Sequence, residues 1–293
     1  MSDLPRLLLG SLLLRPYVFA FLAIHLLGAS ALLGWRRTAA FTWITWAVAF
    51  TAEASSIRTG IPFGWYYYIP RTADRELWIA GVPFFDSLSF SFLLVASYGV
   101  AWMLLAGGLP TGNFGLRIAD CGIGVCHSDI RNPKSEMVPG GSWPRPRRLP
   151  HLLLTSLLFV LMDVVVDPVA LRGDRWFLGQ IYGYPEAGVY FGVPLANFLG
   201  WGVVGVVATG VYHGWEHRRR DTPPGRFAGR AILCPGLYFI VLAFTLAITF
   251  ALQEWRLGLS SVLLALPVLL WTLAILTGPR VLAWRPRAEG THA

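Results

Sequence analysis

Charge is what this sequence has least of: 14% of its 293 residues are Asp, Glu, Lys or Arg, against about 25% in an ordinary soluble domain. With 55% hydrophobic residues and a mean hydropathy of +0.55, the composition excludes a free soluble enzyme and describes an integral membrane protein. Cysteine is scarce as well. Cys121, Cys126 and Cys234 are odd in number and supply no disulfide framework, and "CGIGVCH", Cys121 to His127, has four residues between its cysteines where haem attachment needs two. No low-complexity linker divides the chain. No run alternates as a barrel strand would. No basic face interleaved with base-stacking aromatics is present, so the net charge of +8 does not indicate nucleic acid.

What is present is a series of long apolar runs, and a membrane helix needs about 20 such residues. They extend from Pro16 to Gly34, Phe41 to Ile57, Val82 to Gly108, His151 to Ala170, Val189 to Tyr212, Ala231 to Leu252 and Leu259 to Thr277. The expected fold is all-α, a polytopic transmembrane helical bundle of about seven spans, forming a single integral membrane domain over 1–293. Arg15-Pro16 splits the amino-terminal apolar run, whose second part is long enough to span; this reads as a retained helix and not a cleaved signal.

The segments after the first, third, fifth and seventh runs carry 16 of the 24 Lys and Arg residues, including Arg36 and Arg37, Arg145 to Arg148 and Arg218 to Arg220. The positive-inside rule then places the amino terminus outside and the carboxyl terminus in the cytoplasm, in the inner membrane of a cell. The Pro-, Gly- and Arg-rich stretch 109–150 becomes a cytoplasmic loop.

Carboxyl groups stand out against this background. In "MDVVVDPVAL" Asp163 and Asp167 share one helix face, and Glu53 and Asp86 fall at a similar depth on the same side. An acid in the hydrocarbon layer costs about 2.5 to 3.5 kcal/mol on insertion scales, so it faces a cavity or a partner; such surroundings favour the neutral carboxyl, which can donate a proton. Blander accounts exist for each. Asp167-Pro168 could mark a helix end, Glu53 could pair with Arg58, Asp86 reads best as a helix cap, and His25 and His151 read as structural. Two aromatic stretches adjoin the acids. "GIPFGWYYY" offers Trp65, Tyr66 and Tyr68, and "YFGVPLANFLGW" offers Tyr190, Phe191, Asn197 and Trp201. An interfacial belt explains such rings; so does a groove for a long apolar substrate whose walls stabilise a transient cation. The two stretches also share a Phe-Gly beside a proline, a weak echo on which no repeat is built.

Glu53, Gly60, Pro62, Phe63, Gly64, Tyr66 and Tyr68, then Asp163 to Pro168, then Tyr190 to Trp201, form three ordered motifs. Together they resemble the membrane carotenoid hydratases, of the gamma-carotene 1′,2′-hydratase and bacterioruberin hydratase type. Asp86, where an apolar residue is expected, and the length of the 109–150 loop depart from that pattern. The resemblance implies a hydro-lyase of carotenoid biosynthesis that adds water, without cofactor or metal, to the terminal double bond of an acyclic carotenoid end and gives a tertiary alcohol. On this reading Asp163, Asp167 and Glu53 are catalytic, and Trp65, Tyr66, Tyr68, Tyr190, Phe191, Asn197 and Trp201 bind substrate. The partners are a carotenoid within the bilayer and, downstream, a carotenoid glycosyltransferase. A cyclase or end-group prenyl transferase, and a transporter or non-catalytic carotenoid-binding membrane protein, stay open as alternatives; a prenyl transferase would need magnesium on clustered aspartates, and the sequence has one aspartate pair.

Overall fold

The computed structural model describes residues 4–106, 146–219 and 229–277. Most of them lie in eight α-helices: α1 (Leu4–Leu14), α2 (Pro16–Leu33), α3 (Trp35–Thr59), α4 (Phe84–Leu105), α5 (Arg148–Ala170), α6 (Leu195–His217), α7 (Leu233–Ala251) and α8 (Trp255–Thr277). The chain is an all-α bundle. Six helices, all but α1 and α3, are long and apolar enough to cross a membrane. α3 is longer still at 25 residues but less apolar, and it tolerates its polar residues because it packs on α2, α4 and α6 and turns Arg37, Thr38, Thr42, Thr45, Glu53 and Ser56 inward. α4 is the centre of the bundle, 89% buried along its apolar window, whereas α8, at 11%, presents nearly its whole surface outward.

Local chemistry explains the breaks. Pro16 opens α2 and is tolerated there because the first-turn N–H has no helical partner, so the amino-terminal apolar run divides at Arg15. α1, with 11 residues, reaches roughly 16 Å and cannot span. Gly60 ends α3 in the left-handed conformation, φ 77°, which glycine adopts without strain. Most of the 109–150 stretch, with Cys121 and Cys126, lies outside the described residues; its end, from Arg148, is the first turn of α5 and not loop.

The pairs α3–α4 and α5–α6 are two copies of one unit. Their connections, 60–83 and 171–194, are equal in length. Arg58 donates to the carbonyls of Ala54 at 2.6 Å and Ala80 at 2.8 Å; Arg172 donates to those of Pro168 at 2.7 Å and Phe191 at 3.4 Å. Ala80 and Phe191 each begin a tight turn with two successive positive φ values, 49° and 85° at Ala80-Gly81, 50° and 95° at Phe191-Gly192, the signature of a type I′ turn. Each turn runs into Val-Pro, and the proline is the N-cap of the next helix, Pro83 for α4 and Pro194 for α6.

Equivalent residues also meet. Tyr68 of β1 (Tyr67–Tyr68) lies opposite Tyr182 of β2 (Tyr182–Gly183) in an antiparallel pair, and Phe90 of α4 stacks on Trp201 of α6 with centroids 4.2 Å apart and planes 18° apart. An approximate two-fold axis therefore runs along the bundle between the two tyrosines. α3 and α5 both end, and α4 and α6 both begin, at the same end, so the repeat is parallel and not inverted. The Phe-Gly echo in the sequence aligned Phe63 with Phe191; the structural match of Phe191-Gly192 is Ala80-Gly81, because backbone conformation and not residue identity is what repeats.

Candidate active site

The paired strands β1 and β2, with Ile69 N donating to Ile181 O at 2.8 Å, roof the end of the bundle where the two units meet. Two further links brace the roof. Arg15, between α1 and α2, holds Glu76 with Nε to Oε2 at 2.6 Å and Nη2 to Oε1 at 2.8 Å. Burial works against the charged form of Glu76, but the Arg15 bonds outweigh it and keep the carboxyl below its ordinary value. Glu254, after α7, takes bonds from Arg172, at 3.0 Å, and Arg175; the Arg172 bond is the main reason that its carboxyl also lies below the usual range.

Beneath the roof is a mostly apolar cavity of about 180 Å³. Cavities near 150 Å³ hold a benzene-sized molecule, so this one has room for a small branched end group and a water. Glu53, Asp86, Asp163, Asp167, Tyr66, Tyr68, Asn197 and Trp201 line it, with Tyr17, Tyr182, Tyr184 and an apolar wall from α2, α4 and α7.

The carboxyls differ in their hydrogen-bond partners. Glu53 takes Tyr68 Oη–H on Oε1 at 2.5 Å and the Ser87 hydroxyl on Oε2. Asp167 takes Tyr182 on Oδ1, and Tyr184 at 2.8 Å and Asn197 Nδ2 at 3.2 Å on Oδ2. Asp163 takes one donor, Asn197 Nδ2, on Oδ2 at 2.8 Å; its buried Oδ1 has no hydrogen-bond partner. Burial first, and then the neighbouring carboxyls, push the hydroxyls of Tyr66, Tyr68, Tyr182 and Tyr184 well above the ordinary tyrosine range, so these groups stay protonated and act as donors. Among the described residues, no three His, Cys, Asp or Glu side chains are grouped to share a metal ion.

Of the residues singled out in the sequence, Glu53, Asp163, Asp167, Tyr66, Tyr68, Asn197 and Trp201 come together at the cavity. Trp65, Tyr190 and Phe191 do not line it. Trp65 is 58% exposed and lies over Gly60; Tyr190 and Phe191 belong to the second tight turn, where they contact each other and Tyr190 also meets Phe198. Glu53 does not pair with Arg58, which is engaged by backbone carbonyls. α5 does not stop at Asp167-Pro168 but runs on to Ala170, so Asp167 lies in its last turn with its side chain on the cavity. Asp86 does not cap α4: the N-cap is Pro83, and Asp86 sits within the first turn facing the cavity. His25 bonds Thr42 Oγ1 at 2.8 Å and His151 the Tyr98 carbonyl at 3.1 Å, both within helix packing. The tyrosines of "YGY", Tyr182 and Tyr184, were missed. Their two-residue spacing, the same as that of Tyr66 and Tyr68, puts both on one face of an extended strand and was the available signal.

The family model described as "Carotenoid biosynthesis protein" matches residues 12–125 and 136–272. The chain belongs to this family. No curated protein and no solved structure matches it. The matched segments contain every carboxyl and tyrosine of the cavity, so this carotenoid biosynthesis protein carries its candidate active site within the part that defines its family.

Proposed function

We propose that the protein hydrates the terminal carbon–carbon double bond of an acyclic carotenoid end group, with Asp163 as the proton donor. The observation that supports this best is the buried Asp163 Oδ1, which has no partner beside an apolar cavity. A carboxyl oxygen that already receives a donor, like those of Glu53 and Asp167, is held as an acceptor; a buried oxygen that receives none is satisfied when it carries the hydrogen itself and points it at a substrate. Asn197 fixes the orientation by holding Oδ2 of both aspartates.

The reaction follows from this division. Asp163 gives its proton to the less substituted alkene carbon, and the positive charge develops on the carbon bearing two methyl groups. The stacked Phe90 and Trp201 and the face of Tyr66 present π electrons to that cation. Water near Glu53 forms the C–O bond and passes a proton to Glu53, which Tyr68 and Ser87 hold in place; the product is a tertiary alcohol. General acid catalysis of this kind contributes about 10²- to 10⁴-fold. The cavity admits an end group while the rest of the polyene extends into the bilayer.

Expression in a lycopene-producing bacterium tests the reading. Pigment should gain the mass of one water per hydrated end, and Asp163→Asn should abolish the gain while the protein still accumulates in the membrane. Pigment of unchanged mass but altered absorption would indicate cyclisation started by the same acid. Full hydration by Asp163→Asn would overturn the assignment.

A further inference from the structure

We infer that Asp86 is a further catalytic residue, which binds and orients the attacking water together with Glu53. This rests on the hydration reading and extends it. In the repeat, Asp86 and Asn197 are equivalent: "GVPFFD", 81–86, and "GVPLAN", 192–197, pass through the same turn and the same proline cap. In the second unit this position supplies N–H donors to Asp163 and Asp167. In the first it supplies a carboxyl that lines the same cavity as Glu53 and Tyr68, next to Ser87, whose hydroxyl bonds Glu53.

Hydrogen counting gives that difference a chemical meaning. Tyr68 has one hydroxyl hydrogen, directed to Glu53, so it has none to give to Asp86 on the same cavity. Two acceptors across a small cavity are best satisfied by a molecule with two hydrogens to give. Water placed there donates one hydrogen to Glu53 and one to Asp86, which turns its lone pairs toward the apolar part of the cavity, where the cation forms. The second unit, with Asn197 at the same place, cannot form such an acceptor pair and is left with the proton donor. One substitution in a duplicated scaffold thus separates the acid side from the water side.

Deuterium labelling in D2O distinguishes the two sides. Protonation by Asp163 gives a CHD carbon beside the cation. If water fails to add, the Asp163 carboxylate takes back either hydrogen, and the recovered alkene carries deuterium at that vinyl position. With purified protein in lipid vesicles containing lycopene, Asp86→Asn should lower alcohol formation by at least roughly a hundred-fold while exchange into recovered lycopene persists. Asp163→Asn should lose both, and Asp86→Glu should regain alcohol formation over Asp86→Asn. Asp86→Asn forming alcohol at the wild-type rate, or losing exchange together with alcohol while its thermal transition is unchanged, would overturn the role of Asp86. If Asp86→Asn does not fold, Asp86→Glu decides: a folded variant without alcohol overturns the proposal. Alcohol formation by Asp163→Asn would instead refute the hydration mechanism on which the inference rests.

Discussion

Tyr68 and Tyr182 lie directly opposite one another in a two-stranded antiparallel sheet, and each gives its hydroxyl hydrogen to a carboxylate 15 residues before it, Tyr68 to Glu53 and Tyr182 to Asp167. Two carboxylates on separate helices are thereby tied to one roof, at the axis that relates the two halves of the bundle.

Removing either hydroxyl should therefore have similar consequences. A hydrogen bond to a charged group is worth about 1.5 to 3 kcal/mol, so Tyr68→Phe and Tyr182→Phe should each slow hydration by roughly 10- to 150-fold, measured as alcohol formed per protein at saturating carotenoid. A rate unchanged in both would show that the roof does not position the carboxylates.

The Arg15–Glu76 pair should govern stability and its pH dependence. Breaking a buried pair by removing one partner costs about 3 to 5 kcal/mol, so Glu76→Gln should lower the detergent-solubilised Tm strongly at pH 7. Because the folded-state value of Glu76 is lowered, its contribution is fully present above the unfolded value of about 4.3 and is lost as pH falls through the folded value. Melts of wild type and Glu76→Gln should accordingly begin to converge as pH falls below about 4.3 and meet only below the lowered folded value.

Trp201 and Trp65 should separate cleanly. Trp201, 8% exposed, stacks on Phe90 and lines the cavity, so Trp201→Ala should cost about 3 to 5 kcal/mol of stability and most of the activity, with Trp201→Phe recovering part of both. Trp65→Ala should leave the hydration rate within about two-fold, since a surface side chain contributes little. The reverse order in a pigment assay would relocate the substrate groove to the exposed face.

Close approach of backbone should make Gly200 intolerant. A Cβ there would lie 2.3 Å from the Phe63 ring and 2.9 Å from its Cα, so α6 must move away from the turn that carries Tyr66 and Tyr68. Gly200→Ala should cost about 1 to 3 kcal/mol and reduce activity along with Tm; Gly214→Ala, with nothing within 4 Å of the added atom, should be neutral.

Orientation is open to direct labelling. The positive-inside rule, applied to the excess of Arg and Lys on alternate connections, predicts a roof on the outer face. With Cys121 and Cys126 changed to serine, a cysteine substituted for the exposed Asp174 in the roof should react with a membrane-impermeant maleimide in intact cells; reaction only after lysis would reverse the topology.

The sequence by itself determined the helical bundle, the approximate spans and the end of the bundle where the acids gather. A bilayer requires every backbone polar group to be satisfied within its own helix, which writes the spans as apolar runs, and a carboxyl in such a run is legible against its neighbours. Glu53, Asp163 and Asp167 were visible for that reason. Tertiary structure alone decided the hydrogen-bond partners of each carboxyl, the place of Asp86 and the existence of two related halves. Asp163 and Asp86 look alike in sequence, but the donors that distinguish the acids come from residues 15 to 34 positions away. The repeat is carried by positive φ at Ala80 and Phe191 and by two arginines bonding carbonyls, features of backbone geometry that leave almost no trace in residue identity.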